Sequence, residues 1–164
     1  MKRIFIALGR QGRQFNRLLK EIDCLLEQKQ LPADVFAQTD ASSYTPKNYN
    51  YVRQLTFEEY EQKIVESDLV IGHAGSTTVE LCLHHEKPMI VVPRLKRFGE
   101  TNSDNQLLFA RGLEKKGKAM LVEDISDLGK RIEESRNFLP WVKSERARLI
   151  IRLTLYIKGE KAKG

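Results

Sequence analysis

A chain of 164 residues, 41% hydrophobic and 30% charged, has the size and balance of one soluble globular domain. Its net charge of +6 suits an acidic partner such as a phosphorylated ligand, anionic lipid or nucleic acid, without choosing among them. No apolar run approaches the ~18 residues of a membrane span, and the apolar stretch after Met1-Lys2-Arg3 is too short for a secretory signal; two cysteines, Cys24 and Cys82, that read as reduced thiols lead to the expectation of a cytosolic protein.

Ile4-Phe5-Ile6-Ala7-Leu8 is a continuous apolar run ending at Gly9, which predicts a buried strand. Phe15, Leu18, Leu19, Ile22, Leu25 and Leu26 then recur at helical spacing, and Pro32 closes that helix. Asp34–Gln38 predicts a second strand, Thr39–Asn50 a polar loop and Tyr51–Leu55 a weaker third strand. Thr56 and Glu59 form a capping box, which starts a helix running to about Glu66. Asp68–Gly72 reads as the fourth strand, Thr77–His85 as a helix and Pro88–Pro93 as an apolar fifth strand. A polar loop from Arg94 to Ser103 precedes a helix over Asp104–Lys116, stopped by Gly117. Ala119–Val122 is the last strand, followed by helices over Ser126–Arg136 and Trp141–Lys158. Apolar strands alternating with helices imply an α/β fold: a doubly wound, mostly parallel six-stranded sheet with helices on both faces.

Ligands of such sheets bind outside the carboxyl ends of the strands. Three polar segments leave strands there. In the first, Gly9, Arg10, Gln11 and Gly12, glycines allow close backbone approach and arginine can pair with phosphate; an ordinary strand-to-helix turn has the same residues. In the second, His73-Ala74-Gly75 leads into Ser76, Thr77 and Thr78 at the start of a helix. Unpaired amides and the helix dipole favour an anion there. Glu80 lies a turn further on and can accept two ribose hydroxyls. Simple capping by Ser76 or Thr77 would use one hydroxyl, not three. In the third, Arg94, Glu100, Asn102, Asp104, Asn105 and Gln106 offer donors and acceptors suited to sugar hydroxyls, or merely a capped helix. Cys24 and Cys82 sit among apolar residues and read as reduced core thiols, and His84 and His85 as surface residues. No metal-ligand spacing is present.

Taken together, these segments resemble the donor-binding domain of the GT-B glycosyltransferases, of the type of the glycosyltransferase family 28 C-terminal half, over about Lys2–Leu128. The resemblance is nearest to the stand-alone subunits of bacterial capsule and exopolysaccharide clusters. The motifs are Gly9, the His73-Ala74-Gly75 turn, Pro93-Arg94, and Glu100, Asn102, Asp104-Asn105-Gln106, with Arg10 and Gln11 in place of the usual threonines and Asn105 in place of a histidine. The resemblance implies a Rossmann-like domain over 1–137 that binds a UDP-sugar, with Glu80 on the ribose, inverting transfer and neither a cofactor nor a required metal. It also implies a separate membrane-anchored subunit presenting a lipid-linked sugar acceptor, which would place the chain at the cytoplasmic face of the membrane. His73 is the one local candidate for a catalytic base, its other role being to shape the turn. The alternative is a non-catalytic companion that stabilises a related transferase. A nucleic-acid partner is not expected, because stacking motifs are absent. Residues 138–164 form a basic amphipathic segment, with Trp141, Leu149, Ile150, Leu153, Tyr156 and Ile157 near helical spacing among Arg146, Arg148 and Arg152; it suits packing on a protein or lying on an anionic membrane.

Overall fold

The structure is a computed structural model, and it describes residues 2–141. The predicted helix over Trp141–Lys158 and the basic tail therefore lie, beyond Trp141, outside the described residues.

Six strands form one sheet in the order β3-β2-β1-β4-β5-β6: β1 (Lys2–Ala7), β2 (Ala33–Gln38), β3 (Asn50–Val52), β4 (Leu69–Gly72), β5 (Met89–Val91) and β6 (Met120–Leu121). Every pairing is parallel, so the sheet is wholly rather than mostly parallel. The connecting helices are α1 (Asn16–Glu27), α2 (Phe57–Glu66), α3 (Ser76–His84) and α4 (Asn105–Lys115), with α5 (Leu128–Glu134) after the last strand.

The alternation along β1 divides the core in two. Ile4, Ile6 and Leu8 pack with Leu18, Leu19 and Ile22 of α1 and with Leu128 and Ile132 of α5. Phe5 and Ala7 face the other way, toward Tyr60 and Ile64 of α2, Val79 and Cys82 of α3, and Ala110 and Leu113 of α4. Each fully buried aliphatic side chain contributes roughly 1.5–3 kcal/mol, so a strand with apolar residues on both faces belongs at the centre of the sheet. From that centre the chain winds through β2 and β3 on one side, then through β4, β5 and β6 on the other. The gap between the carboxyl ends of β1 and β4 is thus the topological switch point.

The predicted polar loop over Thr39–Asn50 is anchored on α1, with Thr39, Asp40, Ser42, Pro46 and Tyr49 buried. Asp23 of α1, 4% exposed, accepts hydrogen bonds from the Tyr44 hydroxyl, the backbone amides of Lys47 and Asn48, and the Asn48 side chain, at 2.8–3.0 Å. Burial raises the Asp23 pKa, but these donors together outweigh it and hold the carboxyl below its usual range. A depressed folded pKa gives stability that is present above the unfolded value, near 3.9, and is lost as pH falls through the folded one. Asp23→Asn is accordingly expected to lower unfolding free energy at pH 7 by about 1–3 kcal/mol. The variant should also flatten the acid limb of a urea-denaturation series. An unchanged limb would remove Asp23 from the account.

Candidate functional site

A cavity of about 310 Å³ opens at the switch point. Its first wall is Gly9, Arg10 and Gln11, directly after β1. Its second is His73, Gly75, Ser76, Thr77 and Thr78, the turn after β4 and the first turn of α3. A third wall, not anticipated, is Leu55, Thr56, Phe57 and Tyr60 at the start of α2. The third strand was predicted to reach Leu55 but ends at Val52, and Leu55 lines the cavity instead. The Thr56–Glu59 capping box does form. A helix start just beyond a strand marks the same carboxyl edge, and that was the signal for this wall.

The second wall has the features of an anion site. The amide of Gly75 donates to the carbonyl of His73 at 2.8 Å, so the chain turns from β4 into α3 within three residues. Gly75 is the N-cap and, having no side chain, leaves the first-turn amides without a side-chain cap. The hydroxyl residues Ser76 and Thr77 are exposed and do not cap the helix. Thr78 behaves differently: it is buried, and its hydroxyl meets that of Tyr60 at 2.7 Å, joining α3 to α2. Glu80 is exposed and does not line the cavity. It stands four residues after Ser76 and three after Thr77, and so shares their helix face.

His73 lies beneath this wall, 2% exposed, with Nδ1 unpartnered. Its imidazole fills the space between two glycines. A Cβ on Gly75 would lie 2.5 Å from its Nε2, and one on Gly9 would lie 3.1 Å from its Cε1. Burial, then the charge of Arg94, push the His73 pKa down to about 3, against a smaller opposing effect of the Ala7 backbone. The ring is therefore neutral throughout the physiological range.

The first wall is gripped from behind. The Gln38 side chain donates to the Gly9 carbonyl at 2.6 Å, and the Gly12 amide donates to Asp40 at 2.8 Å. That amide is thereby committed within the protein. Arg10 is exposed and reaches across to donate to the Leu55 carbonyl, tying the first wall to the third.

The segment from Arg94 to Gln106 does not line the cavity. Glu100 is buried, and its oxygens accept from Arg17 at 2.9 Å and from the Leu95 amide at 3.0 Å. Asp104 accepts from the Lys96 amide at 2.9 Å, while Asn102 and Asn105 are exposed. Arg94 is fully buried; its guanidinium donates to Gln11, and its amide donates to Gln106. The segment thus reaches the cavity through Gln11. Of the remaining singled-out residues, Cys24 and Cys82 are free, and His85 pairs with Glu61 at 2.7 Å. Among the described residues there is no group of three or more potential metal ligands and no helix long and apolar enough to cross a membrane.

A relative from Wolbachia pipientis subsp. Culex pipiens (strain wPip) is a UDP-N-acetylglucosamine–N-acetylmuramyl-(pentapeptide) pyrophosphoryl-undecaprenol N-acetylglucosamine transferase. It is 26% identical over 145 residues, which are 80% of this chain and 40% of the relative. Among solved structures, the Acinetobacter baumannii MurG aligns with a TM-score of 0.57 at 20% identity, over 80% of this chain and 40% of that one. The glycotransferase of kitacinnamycin aligns at 0.62 and 13% identity, over 97% and 40%. The spinosyn rhamnosyltransferase SpnG complexed with thymidine diphosphate aligns at 0.59 and 17% identity, over 96% and 42%. These structural likenesses are likenesses of fold, and the chain spans about two fifths of each protein's length. Residues 3–138 match the glycosyltransferase family 28 C-terminal domain, and the chain belongs to that family.

Proposed function

We propose that this chain is the donor-binding half of a UDP-sugar-dependent, inverting glycosyltransferase that needs no metal. The observation that carries the reading is the α3 N-terminus, which opens with a side-chain-free cap and two exposed hydroxyls into a cavity at the switch point. A diphosphate placed there meets first-turn amides and the positive end of the helix dipole. Glu80, on the helix face of Ser76 and Thr77 but outside the cavity lining, is assigned to the ribose hydroxyls. In the reaction an acceptor hydroxyl attacks the anomeric carbon, the bond from that carbon to the diphosphate breaks, and the leaving group carries away the negative charge. Fixed dipoles already aimed at that charge lower the barrier. His73, buried and with its pKa pushed down to about 3, is a weak base and shapes the turn; we assign the base that takes the acceptor proton to the acceptor-binding part. We assign that part to a separate membrane-associated subunit presenting a lipid-linked sugar, in exopolysaccharide or capsule synthesis, which places this chain at the cytoplasmic face. The printed activity of the Wolbachia relative, transfer to a pyrophosphoryl-undecaprenol acceptor, supports a lipid-linked acceptor.

A second reading, a companion that stabilises a related transferase without catalysing, is favoured by one observation: Glu100 and the Gly12 amide are both committed to internal partners. Calorimetry with UDP and several UDP-sugars tests the first reading. Wild type is expected to bind UDP, and Glu80→Ala to weaken it about tenfold. No binding of any of them, with or without the acceptor subunit, would sink the donor-site reading. Binding with no turnover in the assembled complex would select the companion.

A further inference from the structure

Arg94 is the largest fully buried side chain, and none of the ion pairs among the described residues includes it. Its guanidinium is met only by neutral oxygens: the Gln11 side chain at 3.1 Å, the Arg13 carbonyl at 3.1 Å and the Leu8 carbonyl at 3.5 Å. The Phe15 ring covers it at 5.2 Å, and Nε has no hydrogen-bond partner. Asp40 and Glu100 favour its charge from a distance, but neither hydrogen-bonds it: Asp40 accepts from the Gly12 amide and Glu100 pairs with Arg17. A buried cation with no directly bonded carboxylate is costly, and a fold that keeps one gains when an anion settles nearby.

The cavity is the place where such an anion would settle. Gln11, which Arg94 holds, lines it, and so does His73, whose protonation Arg94 opposes. Burial lowers the Arg94 pKa only to about 10, so the charge persists at neutral pH. Gln106 accepts from the Arg94 amide and approaches Gln11 at 3.5 Å, which keeps the side chain in register with the first wall.

We propose that Arg94 is a positioning residue whose buried charge, hydrogen-bonded to no carboxylate, sets the cavity's preference for the more highly charged nucleotide, acting from beneath the wall through Gln11 without touching the ligand. This rests on the donor-site reading and adds to it the source of charge selectivity. A purely architectural arginine would weaken every ligand alike when removed. A charge-setting arginine weakens ligands in proportion to their charge.

The test is calorimetric titration of the full chain with UDP, UMP and uridine as sodium salts, free of divalent metal, at one pH and ionic strength. Wild type, Arg94→Gln and Arg94→Lys are compared, with melting curves to verify folding. Arg94→Gln is expected to lose UDP affinity on the order of tenfold more than uridine affinity, with UMP between them. Arg94→Lys is expected to keep the UDP-to-uridine ratio within about threefold of wild type. Equal weakening of all three ligands by Arg94→Gln overturns the proposal. So does a ratio that collapses in a folded Arg94→Lys, which decides the matter even if Arg94→Gln does not fold. Wild type that binds none of the three overturns the nucleotide reading and this inference together, whereas binding with a flat ratio overturns this inference alone.

Discussion

Gly72→Ala is expected to destabilise the fold by about 3 kcal/mol or more and to lower its melting temperature on the order of 10 °C. Gly72 ends β4 opposite Ala7 of β1, and a Cβ built on it would stand 2.4 Å from the Ala7 carbonyl oxygen. Both atoms belong to or hang directly from the main chain of central strands. Neither side can yield without parting β1 from β4, and Gly72 also accepts from the Val92 amide at 2.8 Å on its other flank. Gly112 in α4 is the internal control, since nothing lies within 4 Å of its Cβ position. Gly112→Ala is expected to stabilise by about 0.5–1 kcal/mol through helix propensity. Urea denaturation of both variants separates contact from propensity, and shifts of the same sign would discard the contact explanation.

Ser76→Glu is expected to move stability and binding in opposite directions. A carboxylate in the first turn of α3 interacts favourably with the helix dipole, adding about 0.3–1 kcal/mol to stability. It also occupies the site assigned to the diphosphate and repels it, so UDP affinity should fall on the order of 100-fold, roughly 2.7 kcal/mol. Ser76→Ala provides the reference: the Ser76 hydroxyl caps nothing, so its loss should leave stability nearly unchanged. Melting and calorimetry on the same preparations read both quantities. If Ser76→Glu binds UDP as wild type does, the α3 N-terminus is not the phosphate site.

The central strands β1, β4 and β5, and β6 beside them, were legible from short apolar runs, because burial on both faces leaves no polar alternation to confuse them, whereas the more exposed edge strand β3 was read only weakly and three residues too far. The capping box located α2 to the residue, since both of its hydrogen bonds are local. The predicted helix over Ser126–Arg136 instead divides into a 3-10 turn at Ile125–Asp127, α5, and a 3-10 turn at Ser135–Asn137; the Asp124 side chain accepts from the Ser126 amide and tightens the entry. In the site, the chain positions of the hydroxyls and glycines could be read directly. Their fates could not, because each depends on a distant partner. Thr78 turns inward to Tyr60, and Glu100 closes on Arg17, a residue 83 positions away. The polar content of Arg94–Gln106 suggested a surface for sugar hydroxyls, yet much of it holds a buried arginine and a loop in place. Spacing along one segment reports its own helix or strand and says nothing of the charge that will lie beneath it.

The placement of the cavity ties occupancy to folding. Its walls come from residues 9–11, 55–60 and 73–78, which follow β1, β3 and β4 and so lie on both sides of the junction between β1 and β4. No half of the sheet forms the pocket alone, so a nucleotide has no partly folded species to grip. Its binding energy is therefore felt by the domain as a whole, as resistance to complete opening, rather than by one loop. With the proposed donor bound, each copy would then resist proteolysis for longer, and a shortage of that donor would shorten its life.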